Sequence, residues 1–108
     1  MITVTVAKDF SRHPAGRFLA DGPYSGQLFR QKFLESNIRT EDKIIIIFDG
    51  ARGYGSSFLE EAFGGLIRAG IPKELALSKL DLQTSNPDLR QEVLEYIEEA
   101  IAGTYAAR

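Results

Sequence analysis

From Ile2 to Val6, apolar and β-branched polar residues alternate, a two-residue period that predicts a half-buried strand. Asp9 to Gly26 is rich in Gly, Pro, Ser and Arg and reads as a long irregular stretch, with a short strand predicted at Arg17 to Ala20. Loops of this length are usually functional or carry structure of their own. Ser25 is placed to cap a helix whose apolar face is Leu28, Phe29, Phe33 and Leu34, with Asn37 at its end. Four consecutive isoleucines and Phe48 then form an unbroken apolar run, which predicts a central strand covered on both faces.

A glycine-rich turn, Gly50-Ala51-Arg52-Gly53-Tyr54-Gly55, follows that strand. Ser57 and Glu60 have capping-box spacing, so Ser57 is expected to open the next helix. That helix turns Phe58, Leu59, Ala62, Phe63, Leu66 and Ile67 to one broad face, and Gly70 with Pro72 stops it. Leu77 to Leu82 alternates and predicts a strand with one wetter face. Ser85-Asn86-Pro87-Asp88 starts the final helix, which carries Leu89, Val93, Tyr96, Ile97, Ala100 and Ile101 inward and ends near Gly103. The alternation implies an α/β domain with a mostly parallel or mixed sheet of about four strands, the short one at Arg17 included, packed by about three helices. A chain of 108 residues fits one domain over its whole length.

Composition narrows the function classes. The 44 % hydrophobic and 26 % charged fractions are those of an ordinary globular protein. There is no cysteine and a single histidine, His13, so a disulfide, a thiolate metal site or a His-rich zinc site is not expected, nor is a bound cofactor. A net charge of −2 gives no electrostatic footprint for nucleic acid. The longest apolar run is too short to span a bilayer, and the N-terminal alternation is not a signal peptide, so a cytoplasmic location is expected.

Functional groups of parallel sheets gather at the carboxyl ends of the strands. Here that edge carries the Asp9 loop, residues 49–57 and the turn near Thr84. Ser56 and Ser57 stand at a helix N-terminus, where free N–H groups and the helix dipole favour an anion or a phosphoryl group. For Ser57 the competing role is the helix cap; for Ser56, a site and a plain turn residue both remain open. Asp49 ends the central strand, where it is either a phosphoacceptor of the receiver type or a turn residue hydrogen-bonding its own backbone. Arg17 and Arg52, with Arg12, Ser25, Gly26 and Tyr54, are candidates for an anion or partner-binding surface, although no phosphate-loop spacing accompanies them. No matched base and nucleophile point to catalysis. Gly64-Gly65 lies inside a helix, where each glycine costs about 1 kcal/mol relative to alanine, and reads as close packing on the sheet or as a flat patch for a partner.

Two blocks carry a family resemblance. Ile45 through Arg68, IIIFDGARGYGSSFLEEAFGGLIR, and Ala20 through Leu34, ADGPYSGQLFRQKFL, closely resemble the signature of a bacterial family of STAS-like domains of unknown function. STAS denotes the sulfate transporter and anti-sigma-factor antagonist fold. The resemblance implies a single STAS-like domain and a non-enzymatic regulatory role: docking on a histidine-kinase-like ATPase, with release by phosphorylation of a serine at the start of the helix after a central strand. Such domains also occur beside, or fused to, these ATPases. Ser56 matches that serine, with Ser57 next to it. In the wider group the context is Asp-Ser-Ser-Gly; here Gly55 replaces the aspartate and Phe58 the glycine.

Overall fold

The computed structural model describes residues 1–103. Three strands form one parallel sheet in the order β1 (Ile2–Thr5), β2 (Ile44–Ile47), β3 (Leu80–Gln83). The register aligns Ile2 with Ile44 and Leu80, and Val4 with Ile46 and Leu82. The isoleucine run is therefore central and parallel to both neighbours, as its pattern predicts. The α/β class expected from the alternation holds, with three strands rather than about four.

Helices pack on one face of this sheet. Helix α1 covers residues 26–35, α-helical over Gly26–Phe29 and wider, with i→i+5 bonding, over Arg30–Glu35. Helix α2 covers residues 56–68, with the same widening at Glu60–Gly64 between Ser56–Leu59 and Gly65–Arg68. A short helix, α3 (Lys73–Lys79), leads into β3, and α4 (Pro87–Glu99) closes the described chain. The strand order advances in one direction, so right-handed crossovers put α1 and α2 on the same side of the sheet. They touch there: a Cβ on Gly26 would lie 2.4 Å from the Phe58 carbonyl oxygen. Helix α4 lies against α2 on the other flank, with the Tyr96 carbonyl 3.3 Å from where a Cβ on Gly64 would stand.

This one-sided layer corrects the expectation that β2 is covered on both faces. Ile44, Ile46 and Phe48 are buried under the helices, whereas Ile45 and Ile47 are only partly buried on the opposite face, in rows with Thr3 and Asp81 and with Thr5 and Gln83. The core lies between sheet and helices and is rich in aromatic rings. Phe29, Phe48, Phe58 and Phe63 are fully buried, and Phe10 packs edge-on against Phe29 at 5.3 Å.

Local chemistry accounts for the element ends. The Leu28 N–H donates to Ser25 Oγ at 3.2 Å, which caps α1. Gly70, at φ +110°, lets the chain leave α2 in a Schellman turn: its N–H donates to the Ile67 carbonyl, and the Ile71 N–H donates to Leu66. Asn86 caps α4 by accepting from the Asp88 and Leu89 amides. That helix stops at Glu99, short of Gly103, and Ile101 is exposed rather than inward.

Two local expectations fail. Residues 17–20 form no strand; Leu19–Asp21 is a 3₁₀ turn, because the Asp21 carboxylate accepts from the Arg17 and Phe18 amides and folds the backbone around itself. Residues 77–79 belong to α3, and the strand begins only at Leu80. Pro72 both follows the stop of α2 and serves as the N-cap of α3.

Candidate functional site

The carboxyl edge of the sheet is built from three loops. After β2, Asp49 turns toward the loop beyond β3, where its carboxylate accepts from the Ser85 N–H at 3.1 Å, the Ser85 hydroxyl at 3.1 Å and the Thr84 hydroxyl at 3.3 Å. Hydrogen bonding by the Ser85 amide, reinforced by both hydroxyls, holds the Asp49 carboxyl below the ordinary aspartate value. The turn-residue reading of Asp49 thus takes a particular form: the side chain bridges to a neighbouring loop rather than to its own backbone.

Tyr54 closes the glycine-rich turn from the inside. Its hydroxyl donates to the Phe48 carbonyl at 2.6 Å, and its ring packs edge-on against Phe48 at 5.3 Å. Burial, with Asp49 nearby, raises its phenol well above the usual range, so it stays a neutral donor. The Arg52 N–H donates to the Arg12 carbonyl at 2.8 Å, which joins this turn to the loop after β1. The side chains of Arg12 and Arg52 are exposed, and neither makes an ion pair among the described residues.

Ser56 and Ser57 are exposed at the first two positions of α2, with Gly55 at the N-cap. No side chain caps this helix. The capping box expected from Ser57 and Glu60 is therefore absent, for two reasons. The helix starts two residues early, with Gly55 rather than Ser57 at the N-cap, which puts Ser57 inside the first turn. Glu60 is also held elsewhere: Arg68 donates to it twice, at 2.6 and 2.8 Å, and Arg17 donates to it as well. Replacing Ser57 with alanine should consequently change stability by no more than about 0.5 kcal/mol, against about 1 kcal/mol for a true cap. Thermal melts of the single variant decide between the two.

The other candidates fall inside the protein. Ser25 and Gly26 are buried at the α1–α2 crossing. Arg17 reaches from the loop to Glu60 and Glu61, and so joins a set of paired charges, with Arg30 and Glu61 buried at its centre, that the sequence pattern does not announce. Arg30 is buried and donates to both Glu61 and Glu35; Arg68 donates to Glu60 and Glu61. Glycines 64 and 65 make room for these groups. A Cβ at residue 64 would stand 2.5 Å from the Glu60 carboxylate, and one at residue 65 would stand 2.4 Å from the Arg30 guanidinium. Close packing is thus the role of this pair, against charged side chains and α4 rather than against the sheet. Burial also limits what this loop and helix can present to a partner: residues 58–67, Glu60 excepted, are buried, and only residues 49–57 are presented at the edge.

Among the described residues, no group of three or more His, Asp or Glu side chains is placed to hold a metal ion. No helix among them is long and apolar enough to cross a membrane.

A three-stranded parallel sheet, helices on one face and a serine-bearing helix start at the carboxyl edge define a small α/β domain with three loops gathered on one side. The family model of the STAS-like domain of unknown function matches residues 25–90, more than half of the chain, and the chain belongs to that family. No curated protein and no solved structure matches it significantly.

Proposed function

We propose that this STAS-like domain is a non-enzymatic regulatory module. It docks on a protein partner, a histidine-kinase-like ATPase, through the carboxyl edge of its sheet, and Ser56 is the residue whose phosphorylation releases it. The observation that carries this reading is the exposure of Ser56 at the start of a helix with no side-chain cap, within a STAS-like family domain. A kinase can reach such a hydroxyl, and the product is tolerated because free amides and the helix dipole stabilise negative charge there. Arg52 and Arg12 add positive charge in the adjoining turns.

Ser56→Asp provides the test. The free domain should melt at nearly the same temperature, since an acidic residue in the first helical turn is favourable by about 0.3–1 kcal/mol. Affinity for a histidine-kinase-like ATPase domain from the same genome, measured by calorimetry, should fall by about tenfold or more, because a new charge at the contact adds desolvation and repulsion. Equal affinity for wild type and Ser56→Asp would remove the switch.

A further inference from the structure

Among the described residues, β1 is an edge strand, with β2 on one side and no strand on the other. Its sequence is a hazard in that place. Ile2 to Ala7, ITVTVA, is β-branched almost throughout and carries no charge, proline or glycine, the composition that lets strands of separate chains pair. The Ile2 N–H donates to the Lys43 carbonyl, so Ile2 and Val4 turn their main-chain groups to β2, and Thr3 and Thr5 turn theirs outward. Thr3 is exposed, and Thr5 partly so.

The chain closes part of this edge itself. After Thr5, Val6–Phe10 makes one wide helical turn, which the Ser11 N–H closes by donating to the Val6 carbonyl at 2.8 Å. The turn brings Asp9 back beside the strand, where its Oδ2 accepts from the Thr5 N–H at 2.7 Å. The opposite edge is closed in a like manner. The Phe48 N–H donates to the Gln83 carbonyl, so Leu80 and Leu82 face outward on β3. The Leu80 N–H donates to Ala76 in α3, and the Leu82 carbonyl accepts from Arg90 Nε at 3.0 Å. Each edge thus sets a charged side chain on a main-chain group that β2 leaves over.

What Asp9 excludes follows from the register. Two copies paired antiparallel about Thr3 would exchange N–H···O=C bonds between their Thr3 residues and set each Thr5 opposite Met1 of the other copy. The Thr5 N–H would then be needed for that Met1 carbonyl, and Asp9 already holds it. Centring the pair on Thr5, or between Thr3 and Thr5, needs the same N–H. A second copy that approached would have to displace the carboxylate or leave bonds of the new ladder unmade.

We propose that Asp9 is a built-in block that keeps β1 from adding a second copy of the chain, its carboxylate occupying a main-chain donor that the pairing needs. Amide exchange tests this in the wild-type chain: the Thr5 amide should exchange at least about tenfold more slowly than the Thr3 amide, each corrected for its intrinsic rate. In sedimentation equilibrium, Asp9→Ala should self-associate at least about tenfold more tightly than wild type. Asp9→Asn, which keeps an acceptor oxygen, should behave as wild type. The melting temperature of dilute protein should change little, because Asp9 is exposed and bonds next to its own turn. Thr3→Pro, added to Asp9→Ala, takes away the other outward N–H without touching a bond to β2 and should restore wild-type behaviour. Equal exchange at Thr3 and Thr5 in the wild-type chain would overturn the inference, as would an Asp9→Ala protein that associates no more than wild type. So would self-association of Asp9→Asn, which would assign the block to charge, or association that survives Thr3→Pro, which would place the contact elsewhere.

Discussion

Replacing Glu61 with glutamine is expected to cost the domain about 3–5 kcal/mol of stability. The Glu61 side chain is only 1 % exposed, and its carboxylate receives donors from Arg30, from Arg68 at 3.2 Å and from Arg17 at 3.5 Å. An amide in its place removes a buried charge that compensates Arg30, whose side chain is 6 % exposed and which also pairs with the partly exposed Glu35 at 2.6 Å. A buried cation that loses its partner carries the full desolvation penalty, which is why breaking such a pair costs far more than the intact pair contributes. A domain of this size has roughly 5–15 kcal/mol in total, so the variant should be close to unfolding at physiological temperature. Urea unfolding measures this directly, and a loss under about 1 kcal/mol would show that the charges are solvated and structurally idle. The double replacement Glu61→Leu with Arg30→Met should recover much of the loss, because no buried charge is then left alone.

The same set of charges makes the fold sensitive to acid. Burial raises the Glu60 carboxyl, but the hydrogen bonds from Arg68 and Arg17 outweigh it and hold the group below the ordinary glutamate value. A carboxyl depressed in the folded state adds stability above its unfolded pKa, about 4.3, and that stability is lost as pH falls through the lower folded value. Asp49, depressed by the Ser85 amide and the two hydroxyls, acts in the same direction. The urea midpoint should therefore drop below about pH 4, and Glu60→Gln should flatten that drop without abolishing it.

The parts of this fold that were legible in the sequence are those decided by local chemistry. The period-two pattern of β1, the isoleucine run of β2, the Ser25 cap, the Gly70 stop and the Asn86-Pro87 helix start all act within a few residues of themselves. What was not legible depends on neighbours distant in the chain. Nothing in Ile44 to Ile47 records that every helix lies on one side, because the strand order that causes it arises only when the sheet assembles. Helix α3 passes into β3 at Leu80 without an intervening glycine or proline, so the alternation of Ser78, Leu80 and Leu82 masks the helix that ends at Lys79. The Glu60 and Glu61 carboxylates resemble a capping residue and a solvated neighbour until Arg17 and Arg30 arrive from elsewhere. The one local hint was Gly64-Gly65, two residues that weaken a helix and stay only where something must lie against it. At the candidate site, the placement of Ser56 beside a helix start followed from the sequence, whereas the start at Gly55, the engagement of Arg17 and the bridge from Asp49 to Ser85 did not.

Gly26→Ala is the second large effect, and its sign is what makes it informative. Within a helix alanine is favoured over glycine by about 1 kcal/mol, so on helix propensity alone the variant should be the more stable protein. The structure reverses this. A Cβ at residue 26 would lie 2.4 Å from the Phe58 carbonyl oxygen, 3.1 Å from the Ala62 backbone nitrogen and 3.1 Å from Glu61 Cβ. Two of these are main-chain atoms of α2, fixed by the helix and unable to rotate aside as a side-chain tip could. The helices must separate, and overpacking of this kind costs about 1–3 kcal/mol. Separation would disturb the aromatic contact of Phe29 with Phe58 and the hydrogen bond from the Gly26 N–H to Gly16 that closes the Phe18 loop. The melting temperature should therefore fall, and amide exchange in residues 15–27 should quicken. Gly55→Ala is the matched control: the position has an ordinary φ of −71° and no atom within 4 Å of an added Cβ, so its stability should stay within about 0.5 kcal/mol of wild type. If Gly26→Ala proved as stable as wild type while Gly55→Ala behaved as stated, the close crossing of α1 and α2 would be wrong, and with it the placement of the Phe18 loop beside the start of α2.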